Sequence, residues 1–323
     1  MKTSLISDLL ESNYRLLKSL HPLRRVTLEI TNQCNLQCRH CYMSASLASS
    51  PDLLTFEEIK RFAEELKKHF GAKIPISITG GEPFLRKDIY KILEYFKKLG
   101  FQTTIATNAL LIDDKDIPKL KNLVTEIAIS LDGEEEDHDF LRDAFVFRKV
   151  LKKIEAIKAS EIPLTIKTVV FKRNQNKLLE IYENLITKIK PYQWHLIPIM
   201  SCGAAQKNRD LCISNFGSKN IYKQIEKIVG THGDEGVNII LGEGDLLFKK
   251  GKLSQNREPK RCHAGITMMS VLFNGDVVPC INGRHGKVDV QGNIRYNDVR
   301  KLWKNGFKKN RNKSYYQCSS HEV

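Results

Sequence analysis

Nowhere in the sequence does an apolar run approach the roughly 18 residues that a membrane-spanning helix needs, so a helical membrane protein is excluded. The N-terminal stretch Met1-Lys2-Thr3-Ser4-Leu5-Ile6-Ser7-Asp8 lacks the long apolar core of a secretory signal. Without export, the eight cysteines are not a disulfide framework, because a reducing cytosol disfavours disulfides. They read instead as metal ligands or reactive thiols in a cytoplasmic protein. Acidic residues are in deficit, 37 against 52 basic, for a net charge of +15. That sign suits an acidic peptide, a nucleic acid, or an anionic cofactor or electron donor. A lysine-rich solvated surface gives the same sum, and many lysines fall at exposed helix positions. Residues 1–24 carry one amphipathic helix, with Leu9, Leu10, Leu16 and Leu17 near one face. This extension is too short for an independent peptide-recognition domain and is expected to flank or plug the main domain.

What is present begins with Cys34-Asn35-Leu36-Gln37-Cys38-Arg39-His40-Cys41, a C-x3-C-x2-C loop directly after the apolar-alternating run Val26-Thr27-Leu28-Glu29-Ile30. A strand feeding a tight loop can aim three thiolates at one point. Soft thiolates select zinc, copper(I) or an iron–sulfur cluster. A structural zinc takes four closed ligands, whereas this loop supplies three thiolates, and His40 adjoins Cys41 too closely to share a tetrahedron with it. A cubane with one iron left open fits the count better.

Strands and helices alternate after the loop. Thr55-Phe56-Glu57-Glu58 reads as a capping box, opening a helix whose apolar residues Ile59, Phe62, Ala63, Leu66 and Phe70 share one face. Strands are expected at 74–79, near 102–107, 126–130 and 164–170, and at 194–199. Helices are expected through Ile89, Ile92, Leu93, Phe96 and Leu99 with Gly100 as stop, and near 147–159 and 178–189. Six strand–helix repeats imply right-handed crossovers and a parallel sheet, with ligands gathering at the carboxyl ends of the strands. The motifs sit at those ends. Gly80-Gly81-Glu82-Pro83 follows the second strand, where two glycines permit close backbone approach to a ligand and Glu82 adds a carboxylate. Thr107-Asn108-Ala109 ends the third strand, and Ser130-Leu131-Asp132-Gly133 ends the fourth.

In this order, these motifs resemble those of the radical S-adenosylmethionine (radical SAM) enzymes. The resemblance implies a partial (β/α)6 barrel over 25–241. It implies a [4Fe–4S] cluster on Cys34, Cys38 and Cys41, whose open iron chelates SAM. It places the SAM amino group at Gly80, Gly81 and Glu82, with His40 and Asn108 among the cofactor-binding residues. Alanine stands at 109 where relatives have glycine. Ser130 is similar to a serine near the SAM ribose or carboxylate, and His138-Asp139-Phe140-Leu141-Arg142 resembles a stretch whose arginine pairs with the SAM carboxylate. The alternative for Arg142 is a surface ion pair with Glu134-Glu135-Glu136-Asp137, itself expected to be a solvated loop. Ile197 is placed against adenine. Cys202 stands as a candidate hydrogen donor to a substrate radical, against the alternative of a small semi-buried cysteine. His195 is given no catalytic role.

From 242 to 323 the composition shifts. Cys262 is followed by Val271-Leu272-Phe273-Asn274-Gly275-Asp276-Val277-Val278-Pro279-Cys280. Asn-Gly between apolar runs signals a hairpin with φ > 0 at both turn positions, returning Cys280 toward Cys262. This segment resembles the opening of the SPASM and twitch domains, which carry auxiliary iron–sulfur clusters. The fuller SPASM pattern is not completed, since only Cys318-Ser319-Ser320-His321 follows. The resemblance allows one auxiliary cluster of the shorter twitch kind on Cys262, Cys280 and Cys318, with His321 or an external group fourth; the alternative is a damaged or truncated domain without a second cluster.

The implied activity is reductive cleavage of SAM to a 5′-deoxyadenosyl radical that takes a hydrogen atom from substrate. Its low-potential electron comes from a ferredoxin or flavodoxin, and the open iron site calls for low oxygen. The substrate expected first is a ribosomally made peptide undergoing modification. The alternative is a small molecule of cofactor biosynthesis, of the tetrapyrrole type. A zinc-stabilised nucleic-acid-binding protein would account for the charge and the cysteines, but not for Gly80 to Pro83 or Ser130 to Gly133.

Overall fold

The structure is a computed structural model. It describes residues 20–43, 45–199, 201–213, 215–232, 237–242, 245–249, 252–253, 263–281 and 289–312. The expected helix before residue 25 lies almost wholly outside them.

The chain divides into two units that interleave along the sequence. One takes its described residues from 1–33, 48–104 and 255–322, the other from 34–47 and 105–254.

In the first unit, β1 (Arg25–Glu29) pairs in parallel with β2 (Ile76–Thr79), Val26 opposite Ile76 and Leu28 opposite Ile78. Four of its five residues, Val26, Thr27, Leu28 and Glu29, are buried, as in a strand covered on both faces. The covering helices are α1 (Phe56–Phe70) and α2 (Ile89–Leu99), which bury Ile59, Phe62, Ala63 and Leu66, and Ile89, Ile92, Leu93 and Phe96. Each such large side chain contributes about 1.5–3 kcal/mol when fully buried. The capping box forms as read: Thr55 Oγ1 accepts from the Glu58 N–H, and the Glu58 carboxylate accepts from the Thr55 N–H at 2.7 Å. Gly100 ends α2 in the left-handed region, φ 87°.

The C-terminal segment joins this same unit. β10 (Met268–Val271) pairs in parallel with β1, Arg25 opposite Met268. β11 (Asp276–Val278) runs antiparallel to β10, and β12 (Gly292–Asn293) antiparallel to β11. The expected hairpin is present with a different turn. Only Gly275 of the Asn-Gly pair has positive φ, 88°, and the Gly275 N–H closes onto the Leu272 carbonyl at 2.8 Å. Asn274 escapes the left-handed conformation because the connection is four residues long rather than two.

β3 (Thr103–Thr107) carries the unit boundary after Thr104. The second unit continues with α3 (Ile117–Leu123), β4 (Glu126–Ser130), α4 (Glu135–Arg142), α5 (Phe147–Ala159), β5 (Leu164–Val170), α6 (residues 178–189) and β6 (Gln193–Pro198). β4, β5 and β6 are parallel. α6 contains a π turn at Tyr182–Ile186. After α7 (Asn215–His232), β7 (Asn238–Leu241) pairs in parallel with β6, and β8 (Asp245–Lys249) and β9 (Lys252–Leu253) follow antiparallel. α4 corrects an expectation: the acidic run is not a solvated loop. Glu135, Glu136 and Asp137 form its first turn, where carboxylates favour the positive end of the helix dipole. Asp137 is buried and pairs with Lys177 at 2.7 Å and Arg173 at 3.1 Å.

Candidate active site

Each candidate motif lies at or beyond the carboxyl end of a strand. Within the second unit, the segment Cys34–Leu47 is pinned from three directions. Asn108, just past β3, donates from Nδ2 to Asn35 Oδ1 at 2.8 Å while its own Oδ1 accepts the Leu110 N–H. The C-terminus of α4 takes the other end of the loop: the Arg39 N–H donates to the Leu141 carbonyl at 3.0 Å, and the Arg39 guanidinium pairs with Asp143 at 2.8 Å. From the third direction comes the short turn Gly203–Gln206. The Ala204 N–H donates to the Cys41 carbonyl at 2.9 Å, and Asn208 Nδ2 donates to the Arg39 carbonyl at 2.9 Å. Gly203 is required there, since a Cβ on it would stand 2.3 Å from the Cys41 carbonyl oxygen. Sequence reasoning missed Asn35, Gly203 and Asn208 as supports of the loop. Only the position of Asn35 between two cysteines marked any of them.

Arg142 does not pair with the acidic run. Its Nε donates to Asp132 Oδ2 at 2.6 Å, and Nη1 lies 3.8 Å from Cys38 Sγ, within hydrogen-bonding reach of sulfur. Asp132 is fixed in turn: its Oδ1 accepts the Val169 N–H at 2.9 Å, and its backbone N–H donates to His138 Nδ1 at 3.2 Å. Arg142, Asp132 and His138 are all buried. Burial pushes the Asp132 carboxyl up, but the charges of Arg142, His138 and His40 bring it below the ordinary range. Burial also pushes the Cys38 thiol up, with Arg142 opposing the shift and Cys41 adding to it. His138 is held down to about 4, first by burial. His138 Nε2 and His40 Nδ1 are buried without a hydrogen-bond partner.

In the first unit, the Gly80-Gly81 turn packs on the exit of β1. The Gly81 N–H donates to the Thr31 carbonyl at 2.9 Å and the Glu82 N–H to the Gln33 carbonyl at 2.6 Å. A Cβ on Gly80 would lie 2.4 Å from Thr31 O, and one on Gly81 2.0 Å from Gln33 O. The close meeting of two chain segments therefore itself demands glycine at both positions. Glu82 is buried, and its Oε1 accepts the Phe84 N–H. Arg86 donates to the Ile30 carbonyl at 2.7 Å and pairs with Asp88.

Ala109 adopts φ 66°, so alanine takes the left-handed conformation natural to glycine at that place. Ser130 ends β4, opposite Lys167. Ile197 is half-buried on β6, opposite Val169. Cys202 is buried, its thiol pushed up to about 11, first by burial and then by the neighbouring Cys41 and Cys212. It is therefore a protonated thiol at neutral pH. Cys280 is half-buried just beyond β11. Cys262, Cys318 and His321 lie outside the described residues.

Among the described residues, no three His, Cys, Asp or Glu side chains converge as the ligands of a single metal ion would. A zinc site needs all its ligands about 2.0–2.3 Å from one point. A cubane instead takes each thiolate at a separate corner, and a pinned loop bearing three half-buried cysteines, one beside a guanidinium, suits it.

Two family models match the chain: the radical SAM superfamily over residues 28–185, and the SPASM iron–sulfur cluster-binding domain over 262–320. The chain belongs to the radical SAM superfamily. Its cofactors are a [4Fe–4S] cluster and SAM, and the SPASM domain implies auxiliary iron–sulfur binding. The chain is 27% identical over 305 residues to an AdoMet-dependent heme synthase of Methanosarcina barkeri, covering 87% of this chain and 82% of that protein. It is 29% identical over 190 residues to a PqqA peptide cyclase of Bradyrhizobium diazoefficiens, covering 57% of this chain and 48% of that protein. Among solved structures, SuiB of Streptococcus suis bound to S-adenosylmethionine matches with a TM-score of 0.68 at 19% identity, over 87% of this chain and 65% of that one. That likeness concerns the fold: an α/β radical SAM architecture with a parallel sheet. No described helix is long and apolar enough to cross a membrane.

Proposed function

We propose that this radical SAM enzyme uses Cys34, Cys38 and Cys41 as the three thiolate ligands of its SAM-binding cluster. The reading is carried by the loop itself: three cysteines on a segment anchored by Asn108, by the end of α4 and by the 203–208 turn. When bound, the cluster and SAM supply a primary carbon radical that takes a hydrogen atom from substrate. The chain's part is to bind, orient and exclude water. Gly80, Gly81 and Glu82 form the amino-group subsite, with buried Glu82 as its fixed carboxylate. Ser130 and Ile197 present a hydroxyl and an apolar side chain for the nucleoside. His40 and Asn108 are further candidate cofactor-binding residues, and Cys202 is the candidate thiol donor. An acidic one-electron donor of the ferredoxin or flavodoxin class suits the positive charge, in a cytoplasmic setting.

The test is SAM cleavage under dithionite, read as 5′-deoxyadenosine from anaerobically reconstituted protein. Alanine at Cys34, Cys38 and Cys41 is expected to abolish it, and continued production would refute the assignment.

For the substrate, the net charge of +15 supports an anionic partner, and we take a ribosomally made peptide first. The alignment with the heme synthase supports a second class, a carboxylate-bearing tetrapyrrole. It runs over 87% of this chain, against 57% for the peptide cyclase, and so takes in regions outside the shared SAM-cleaving core. Hydrogen-atom loss from a deuterated tetrapyrrole propionate into 5′-deoxyadenosine would select the second class. Transfer from a deuterated precursor peptide would select the first.

A further inference from the structure

We propose that Arg142 is a positioning residue for the Cys38 thiolate and, balanced by Asp132, sets how readily the SAM-binding cluster accepts an electron. The inference rests on the reading of Cys38 as a cluster ligand. Three observations carry it. The Arg142 guanidinium is divided between Asp132 Oδ2 at 2.6 Å and Cys38 Sγ at 3.8 Å. The Asp132 carboxylate cannot swing away, because the Val169 N–H holds its other oxygen and its backbone N–H is tied to His138. Finally, α4 ends at Arg142 and gives its Leu141 carbonyl to the Arg39 N–H of the cysteine loop, so the guanidinium and the loop are placed by one helix terminus.

The chemistry follows from charge. Reduction adds one negative charge to the cluster. A cation donating to a ligand sulfur stabilises that charge, and hydrogen bonds to cluster sulfurs and local net charge are known levers on potential. Both Arg142 and Asp132 are buried, where a charge acts more strongly than in water. Asp132 offsets part of the guanidinium's effect while fixing its direction. Removing Arg142 should therefore make the cluster harder to reduce, and neutralising Asp132 should make it easier. A residue serving only to bind the SAM carboxylate would change SAM affinity and leave the SAM-free potential in place.

The experiment uses full-length, anaerobically reconstituted protein. The relevant electron paramagnetic resonance signal is identified by its response to added SAM, then titrated against potential without SAM. For Arg142→Gln, the reduced-to-oxidised ratio at a fixed potential should fall about tenfold, equivalent to 59 mV for one electron. Asp132→Asn should raise it, and Arg142→Lys, which retains the cation, should lie near the wild type. Potentials unmoved in Arg142→Gln and Asp132→Asn, or moved with the same sign, overturn the inference. Should Arg142→Gln fail to take up iron, Asp132→Asn decides alone, and the inference fails if the ratio does not rise. A wild-type protein with no SAM-responsive signal would instead refute the assignment of Cys34, Cys38 and Cys41.

Discussion

At the residue scale, the glycines of the Gly-Gly-Glu-Pro motif have a steric reason that the motif alone does not show. The tetrapeptide marks a turn after a strand. It does not reveal that Thr31 and Gln33 are the atoms a side chain would strike, because that contact depends on how two strand exits meet. Gly81→Ala would place Cβ 2.0 Å from a carbonyl oxygen. The backbone there has no flexible side chain to yield, so a loss of about 3 kcal/mol or more is expected, read by chemical denaturation. Gly71→Ala is the matched control, since nothing lies within 4 Å of its added Cβ and only its positive φ opposes the change. His138 gives a second prediction. Its folded pKa, about 4, lies below the unfolded value near 6.5. The unfolded chain therefore binds more protons between those values, and stability falls as pH falls through that window. From pH 7 to pH 5 the loss from this group is about 2 kcal/mol. His138→Gln should flatten that part of the pH dependence, and an unchanged slope in urea unfolding at the two pH values would contradict it.

At the element scale, the strands and the long helices were legible because their apolar periods are clear and their caps are local chemistry. Thr55 and Glu58 sit three residues apart in the chain, so a capping box can be read there without a fold. What lies beside that box could not be read. Arg295 donates to Glu58 at 2.7 Å, to Asp52, and to the Asn274 carbonyl at 3.0 Å, joining the start of α1 to the hairpin turn across more than 200 positions of sequence. The short helix α4 was missed for a related reason: its eight residues are mostly polar, and what holds Asp137 is Arg173 and Lys177 on a later segment. Arg295→Ala removes the partner of two carboxylates and leaves the capping glutamate to its local bonds alone. A loss of about 2 kcal/mol is expected, against about 1 kcal/mol for Thr55→Ala, which removes the cap only. Equal effects would mean that the long-range contacts add nothing to the cap.

At the scale of the whole molecule, the order of motifs identifies the reaction class, while the C-terminal segment decides how many clusters the chain can carry. Of eight cysteines, three lie in the N-terminal loop, Cys202 and Cys212 lie near Cys41 or beside the turn that supports it, and Cys262, Cys280 and Cys318 remain. A [4Fe–4S] cluster with no open iron takes four protein ligands, and Cys262, Cys280 and Cys318 are the candidate thiolates for auxiliary binding by the SPASM domain. The hairpin gives the Cys280 candidate a structural setting. β11 is paired on both sides, to β10 and to β12, and Cys280 lies two residues beyond its end at Val278, where a paired strand can help to place a thiolate. Fully reconstituted protein should hold about eight irons if both clusters are cubanes. Cys280→Ala should lower that by about four and leave the SAM-responsive signal intact, because β11 and the N-terminal cysteine loop share no ligand. Iron that stays unchanged in Cys280→Ala would remove this residue from the auxiliary site, and loss of both signals together would mean that the hairpin supports the fold rather than a cluster.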